Sequence, residues 1–278
     1  RTLSFLNQIV KKESPNLIVY TGDIFQNINE IDFEATILKV FSIPISNQIP
    51  FAFTFGSNDI ISSTNKEIIL NYISNLPFSL TKKSINLDGS LSNYLLDISN
   101  GDAQIYILDS YQNKINHLQN DYIKILHDNN NKINKNYKNI DSPFSLAFFH
   151  YPIPEYRPKG PFSVVGQYNQ KEKLITETSP ETRKILGQFV NIVSVGHKHT
   201  NDCCILSSLP HDDDIWLCYN AAAGEGGYGN PQIAFSRKVR LFSLDKNKKK
   251  ITSWKRAENN PDSIIDYQVL VNDGKVSS

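Results

Sequence analysis

Short apolar runs alternate with polar stretches along the chain. Four runs, at residues 17–20, 51–55, 146–149 and 192–195, are rich in β-branched and aromatic residues, which is typical of buried strands. Weaker runs at residues 104–108, 215–219 and 239–244 also predict strands. Apolar residues recur at helical spacing over residues 3–13, 65–75 and 113–128, which predicts three helices. Strands mixed with helices indicate an α/β protein.

Two polar stretches interrupt this pattern. The asparagine- and lysine-rich residues 129–136 predict a solvated surface loop. The lysine-rich residues 246–250 lie between two apolar runs and predict a hairpin tip. The chain shows no internal repeat and no linker, and a length of 278 residues suits one large domain. We therefore expect a single domain over residues 1–278.

Charge and hydropathy exclude two classes of protein. The chain has 29 basic and 28 acidic residues, a formal charge of +1, which argues against a nucleic-acid binder that works through a basic surface. It contains no apolar run of about 18 residues, so no transmembrane segment is predicted. The three cysteines are too few and too odd in number for a disulfide framework, and Cys203, Cys204 and Cys218 are expected to be buried free thiols.

The chain contains no methionine and begins with Arg1. Because an intact reading frame begins with methionine, we expect the N-terminus to be truncated. A signal peptide in the absent segment would determine the location of the protein, and an intracellular location is expected without one.

Each of the four main apolar runs ends at residues with metal-ligand or acid/base side chains. In chain order these are Thr21-Gly22-Asp23, Gly56-Ser57-Asn58-Asp59, His150, and Gly196-His197-Lys198-His199. In α/β sheets, ligands bind at the carboxyl ends of the strands, so these side chains are expected to share one edge. Carboxylate and imidazole together suit Zn, Mn or Fe. Two cations about 3.5–4 Å apart can clamp a phosphate ester.

Each motif also has an ordinary structural explanation when taken alone. Gly22-Asp23 is compatible with a simple turn, and His150 with an interior histidine that has hydrogen-bond partners. The delivery of all four motifs to strand ends favours a shared metal site.

The order of these motifs resembles the calcineurin-like metallophosphoesterase superfamily. Longer segments resemble its purple-acid-phosphatase-like branch of fungi and plants, which includes a yeast cell-cycle phosphatase. These segments are residues 148–156, 196–203, 224–229 and 237–242, together with the opening up to Asp23. The resemblance covers nearly the whole chain and is weakest in the asparagine-rich stretch.

The resemblance implies a four-layer α-β-β-α sandwich, from which the first strand and its Asp-x-His motif would be missing upstream of Arg1. It implies two divalent or trivalent transition metals, Mn, Fe or Zn. The implied reaction is hydrolysis of a phosphate monoester, in a phosphoprotein or a small phosphoester, by metal-bound hydroxide at a dinuclear centre. The expected partner is this phosphorylated substrate, with no nucleic acid and no membrane segment.

The resemblance also assigns roles to individual residues. Asp23 corresponds to the carboxylate that bridges the two metals. His150 and His197 correspond to ligands of the second metal, and His199 to a ligand of the first. Asp59 corresponds to the carboxylate that orients a catalytic histidine.

One motif departs from the family pattern Gly-Asn-His-Asp. Ser57 stands at the position of the asparagine ligand, and Asn58 at the position of the catalytic histidine. Asn58 can donate a hydrogen bond but cannot transfer a proton at neutral pH. Loss of a general acid costs about 10²–10⁴ in rate. Two hypotheses therefore stand, a metal-dependent phosphatase and a catalytically impaired pseudophosphatase that acts by binding or regulation.

Overall fold

The computed structural model describes residues 1–25, 33–60, 62–98, 101–110, 115–134, 144–159, 161–173, 181–225 and 236–277. The helices in these residues are α1 (Thr2–Glu13), α2 (Phe33–Ser46), α3 (Ser63–Ser74), α4 (His117–Asn134) and α5 (Thr182–Phe189). The strands are β1 (Ile18–Tyr20), β2 (Phe51–Phe53), β3 (Tyr94–Ile98), β4 (Ala103–Ile107), β5 (Ser145–Phe149), β6 (Val164–Val165), β7 (Ile192–Val195), β8 (Cys204–Ser207), β9 (Ile215–Tyr219), β10 (Lys238–Asp245), β11 (Lys250–Ala257), β12 (Asn260–Asn272) and β13 (Lys275–Val276).

The elements predicted from the apolar pattern are confirmed, with ends shifted by a few residues. The helices α1, α3 and α4 coincide with the three predicted helical stretches, although residues 113 and 114 lie outside the described part of the chain. The strands β1, β2, β5 and β7 coincide with the four main runs, and β4, β9 and β10 with the weaker ones. The lysine-rich stretch forms the predicted turn between β10 and β11.

The loop predicted at residues 129–136 was wrong for its first part, because α4 continues to Asn134. Residues 135 and 136 lie outside the described residues. Asparagine is a weak helix former, but packing of a helix against a core routinely overrides propensity. In α4 that packing includes Ile123, which is fully buried.

The largest sheet has the strand order β3-β4-β5-β7-β9-β8-β6 within the described residues. The strands β4, β5, β7 and β9 run parallel to one another, whereas β3, β8 and β6 are antiparallel to their neighbours. Parallel neighbours end on the same edge of a sheet. The segments that follow β5 and β7, which carry His150 and His197, therefore start side by side.

The central sheet is covered on both faces. Tyr106 of β4 packs in a cluster with Ile123 of α4 and Leu186 of α5. The preceding residue, Ile105, points to the other face and packs in a cluster with Ile251 of β11. Burial on both faces explains why these strands appear in the sequence as continuous apolar runs.

A second layer of strands lies over that other face. It consists of the parallel pair β1-β2 and the antiparallel sheet β10-β11-β12-β13. Ala52 of β2 belongs to the cluster shared with the central sheet. Its neighbours Phe51 and Phe53 point to the opposite face of β2, where they are buried against α2 and α3. The protein is thus an α/β fold with a mixed central sheet and flanking helices.

The cysteines correct the expectation of three free thiols. Cys204 and Cys218 form a disulfide between the antiparallel neighbours β8 and β9, where the two residues face each other in register. Cys203 is a free, buried thiol, as expected. Cys204 and Cys218 lie in the cluster on one face of the sheet, whereas Cys203, which directly precedes β8, lies in the cluster on the other face.

Candidate metal centre

The site is built on two tight turns that follow β1 and β2. These strands are parallel neighbours, so the turns that bear Asp23 and Asp59 start at the same edge. Gly22 has a φ of +91°, and a side chain there would collide with the backbone of Gly56. A side chain at Gly56 would in turn collide with Asp23. The two glycines are therefore required by a close approach of backbone to backbone.

Asp59 joins these two turns. Its fully buried carboxylate accepts hydrogen bonds from the backbone amides of Asp23 (2.7 Å), Ile24 (2.8 Å), Phe25 (3.2 Å) and Gly56 (2.7 Å). Burial and the negative charge of Asp23 raise the pKa of Asp59 to about 6. In this structure Asp59 fixes the shape of the turns, and its inferred role in orienting a catalytic side chain stays a prediction.

His150 follows β5 and is almost fully buried. Its Nδ1 lies 2.7 Å from the carbonyl oxygen of Thr21. A carbonyl can only accept, so Nδ1 carries the proton of that hydrogen bond. The other ring nitrogen, Nε2, lies 3.3 Å from Oδ2 of Asp23 and 3.2 Å from Nδ1 of His197. The backbone of the first turn thus aims Nε2 at the other two side chains.

His197 reaches the same point from the turn after β7. Its backbone is left-handed, with a φ of +65°, as is that of Asp23, with a φ of +56°. Such values are uncommon outside glycine. The ring of Tyr151 lies against the ring of His197 with a centroid distance of 4.4 Å and meets His150 edge-on at 4.9 Å.

Asp23, His150 and His197 each offer one ligand atom, and these atoms all lie within 4.8 Å of one another. One carboxylate oxygen and two imidazole nitrogens form a donor set that suits a transition metal. His199 lies outside this group of three, although it is close enough for its charge to affect the pKa of His197. The described residues therefore fit one metal, and the assignment of His199 to a first metal stays a prediction.

The charge states of two of the three side chains, Asp23 and His197, suit a metal. Burial alone would raise the pKa of Asp23, but its hydrogen bond with His150 and the charge of that residue lower it overall. Burial, together with the positive charge of His150, lowers the pKa of His197 to about 3. Burial alone would lower the pKa of His150, whereas Asp23 raises it overall. Near neutral pH, Asp23 is therefore ionised and His197 neutral, the forms that bind metals.

Ser57 and Asn58, the two residues that differ from the family pattern, are in direct contact with Asp23. The hydroxyl of Ser57 donates to both carboxylate oxygens of Asp23 at 3.0 Å, and the backbone amide of Asn58 donates to Oδ1 at 2.7 Å. The side-chain amide of Asn58 donates a hydrogen bond to the hydroxyl oxygen of Ser57 at 3.3 Å. In this structure Ser57 is a hydrogen-bond donor to the candidate ligand, and its assignment as a ligand stays a prediction.

Sequence reasoning missed several participants. Tyr151 was not singled out, although an aromatic residue directly after His150 was the available signal. Thr21 acts through its backbone carbonyl, for which the sequence offers no signal. Arg157 donates to the carbonyls of Asn169 (3.0 Å) and Glu172 (2.8 Å), contacts for which the sequence also offers no signal. The glycine-rich stretch after Gly224 lies outside the described residues from position 226.

No helix among the described residues is long and apolar enough to span a bilayer.

Known proteins of fungi and plants are similar to this chain over nearly its whole length. Protein SIA1 of Kluyveromyces lactis is 35% identical over 96% of this chain and 45% of its own length. Phosphatase DCR2 of Saccharomyces cerevisiae is 31% identical over 98% of this chain and 50% of its own length. An Arabidopsis thaliana protein named "Probable inactive purple acid phosphatase 29" is 27% identical over 98% of this chain and 77% of its own length. The chain spans about half the length of the two yeast relatives.

The sequence profile of the calcineurin-like phosphoesterases matches residues 1–201, well over half of the 278 residues. The match includes all four motifs at the strand ends, among them the three residues that converge in the structure. The chain therefore belongs to the calcineurin-like phosphoesterase family.

Proposed function

We propose that the protein is a metal-dependent phosphoesterase that hydrolyses phosphate monoesters. The observation that carries the proposal is the convergence of Asp23, His150 and His197 within 4.8 Å, in a chain of this family. Residues 1–278 are proposed to form one domain, a four-layer α-β-β-α sandwich. The clusters on both faces of the central sheet, and the packing of α2 and α3 outside β2, support that layering.

Asp23, His150 and His197 would hold one metal. His199 would help to hold another, with Asp23 shared between the two and Ser57 as a further candidate ligand. Two such metals, Mn, Fe or Zn, would supply Lewis-acid activation of the phosphate and of the attacking water. The protein's own residues have separate tasks. Asp59 keeps the two turns together, Thr21 fixes the tautomer of His150, and the side chain of Asn58 is available to hydrogen-bond a substrate oxygen.

The second candidate is a pseudophosphatase that binds a phosphorylated partner without efficient turnover. Ser57 and Asn58 favour it, because neither can act as a general acid near neutral pH. The hydrogen bonds from Ser57 also occupy oxygens of Asp23 that a metal would use. The names of the relatives include both a phosphatase and a protein called inactive.

Metal analysis tests the metal site, which the two candidate functions share. The purified protein is expected to retain at least one transition metal per chain, and His197→Ala is expected to lose most of it. His117→Ala is a matched control, because His117 is an exposed histidine at the start of α4. Equally negligible metal in all three proteins would refute the site.

Turnover separates the two candidates. Metal-loaded protein that hydrolyses 4-nitrophenyl phosphate, with the activity lost in His197→Ala and kept in His117→Ala, is the result expected for the phosphoesterase. Metal binding without turnover identifies the pseudophosphatase.

A further inference from the structure

The turn that carries His197 and His199 has little internal support. Within residues 196–202 the described backbone hydrogen bonds are two, from Lys198 to Gly196 (2.8 Å) and from Asn201 to Lys198 (3.3 Å). His197 has a left-handed backbone, a conformation that a non-glycine residue keeps only when its surroundings impose it. The conformation of this turn must therefore be imposed by neighbouring segments.

One carboxylate supplies much of that support. Oε2 of Glu172 accepts hydrogen bonds from the backbone amide of Thr200 (3.2 Å), from its hydroxyl and from the side-chain amide of Asn201 (2.7 Å). Thr200 directly follows His199 and is three residues from His197. Glu172 thus holds the end of the turn that carries both histidines.

The residues around Glu172 reinforce the same contact. Asn169 donates from its backbone amide to Oδ1 of Asn201 (2.8 Å) and from its side chain to the hydroxyl of Thr200 (2.8 Å). The guanidinium of Arg157 binds the carbonyls of Asn169 and Glu172 and lies over the ring of Tyr168, 4.8 Å from its centroid. Because Arg157 is seven residues after His150, it links the β5 side of the site to the segment that holds the His197 turn.

We propose that Glu172 is a positioning residue for the metal centre. Its carboxylate holds the turn of residues 196–202 so that His197 meets Asp23 and His150. This inference rests on the proposed function and assigns a new residue to the same site. Partners that orient metal ligands affect metal affinity by about 10–100-fold when they are removed.

The test is titration of the metal-free full chain with Co²⁺, followed by the visible absorption of the bound ion. Glu172→Ala is expected to weaken Co²⁺ affinity about 10-fold and to alter the absorption bands, since the ligand geometry changes. Glu172→Gln keeps an acceptor oxygen for the same three donors, so it is expected to recover most of the affinity. Lys171→Ala, an exposed neighbour on the same segment, is the control and is expected to match wild type.

Hydrogen exchange gives a second measurement that does not depend on metal. In the metal-free protein, Glu172→Ala is expected to speed exchange in a peptide covering residues 196–202, while peptides from β5 and β7 remain unchanged. Accelerated exchange across the whole chain would mean that Glu172 only supports global stability, and would overturn the inference.

The two proposals fail in distinguishable ways. If wild type binds Co²⁺ and Glu172→Ala binds it with the same affinity and spectrum, the role of Glu172 is refuted while the metal site stands. If wild type itself binds no Co²⁺, the proposed function and this inference both fail.

Discussion

At the scale of single residues, Ser57 and Asn58 decide how much chemistry the site can do. The hydroxyl of Ser57 donates a hydrogen bond to Asp23, and the contact of Asn58 with Asp23 is made by its backbone amide. A change of the Asn58 side chain therefore leaves that backbone contact in place. The turn is thus able to accept the histidine of the family pattern at position 58 without losing this contact.

Restoring both family residues is expected to raise phosphatase activity. In metal-loaded protein, Ser57→Asn with Asn58→His should increase the turnover of 4-nitrophenyl phosphate by about 10² or more, because the new imidazole can protonate the leaving group. Steady-state kinetics check this, with Ser57→Asn alone as the control for metal binding without the acid. An unchanged turnover in the double variant would show that the missing histidine does not limit the rate.

At the scale of elements, the apolar pattern predicts strands better than it predicts their partners. β9 coincides with its predicted run because five buried residues lie between polar neighbours. The strands before His150 and His197 were predicted for the same reason, whereas β1, before Asp23, is half-buried. The helix α2 was not predicted, since its sequence includes several β-branched residues and Pro44, which give no clear helical signal.

Contacts that depend on register escape such reasoning altogether. The disulfide of Cys204 exists because β8 pairs antiparallel with β9 in the register that places it opposite Cys218. The cysteine count alone favours free thiols. The contacts of Glu172 with Thr200 and Asn201 are equally invisible in the sequence, since 28 and 29 positions separate the partners.

The β8-β9 disulfide gives a direct chemical prediction. Protein unfolded without reductant should show one reactive thiol per chain, that of Cys203, and three after reduction. Thiol titration with and without reductant measures this. Replacing Cys204 and Cys218 by alanine should lower the free energy of unfolding by about 3 kcal/mol, from the freed loop of 14 residues. Three reactive thiols in the unreduced, unfolded protein would refute the pairing.

At the scale of the whole molecule, a buried charge cluster joins the His197 turn to the antiparallel sheet. The carboxylate of Asp202 binds Lys238 of β10 and Lys255 of β11, each at 2.5 Å. Lys255 is fully buried and also pairs with Asp266 of β12 at 2.5 Å. Removing one member of such a cluster leaves an uncompensated charge in the interior, which is strongly destabilising.

The cluster makes stability depend on pH. Burial alone would raise the pKa of Asp202, but Lys255 and Lys238 lower it overall. The stabilisation is therefore complete above the pKa of the unfolded chain, about 3.9, and is lost as the pH falls through the lower pKa of the folded state. Asp202→Asn should cost about 3 kcal/mol at pH 7, and its difference from wild type should shrink in acid.

Urea unfolding at pH 7 and at several acidic values tests this dependence on pH. Asp273→Asn is a suitable control, because Asp273 is exposed and asparagine tolerates its left-handed backbone. A difference between wild type and Asp202→Asn that stays constant with pH would contradict the role of the charged carboxylate.

The contact between Gly22 and Gly56 has a consequence for the order of folding. The two turns are 34 residues apart in sequence and meet only when β1 and β2 are paired in register. Contacts over such distances form after the cost of closing the intervening chain has been met. Asp23 can therefore reach His150 only in chains in which β1 and β2 are already paired. Capture of a metal by these residues would report that pairing in real time during refolding.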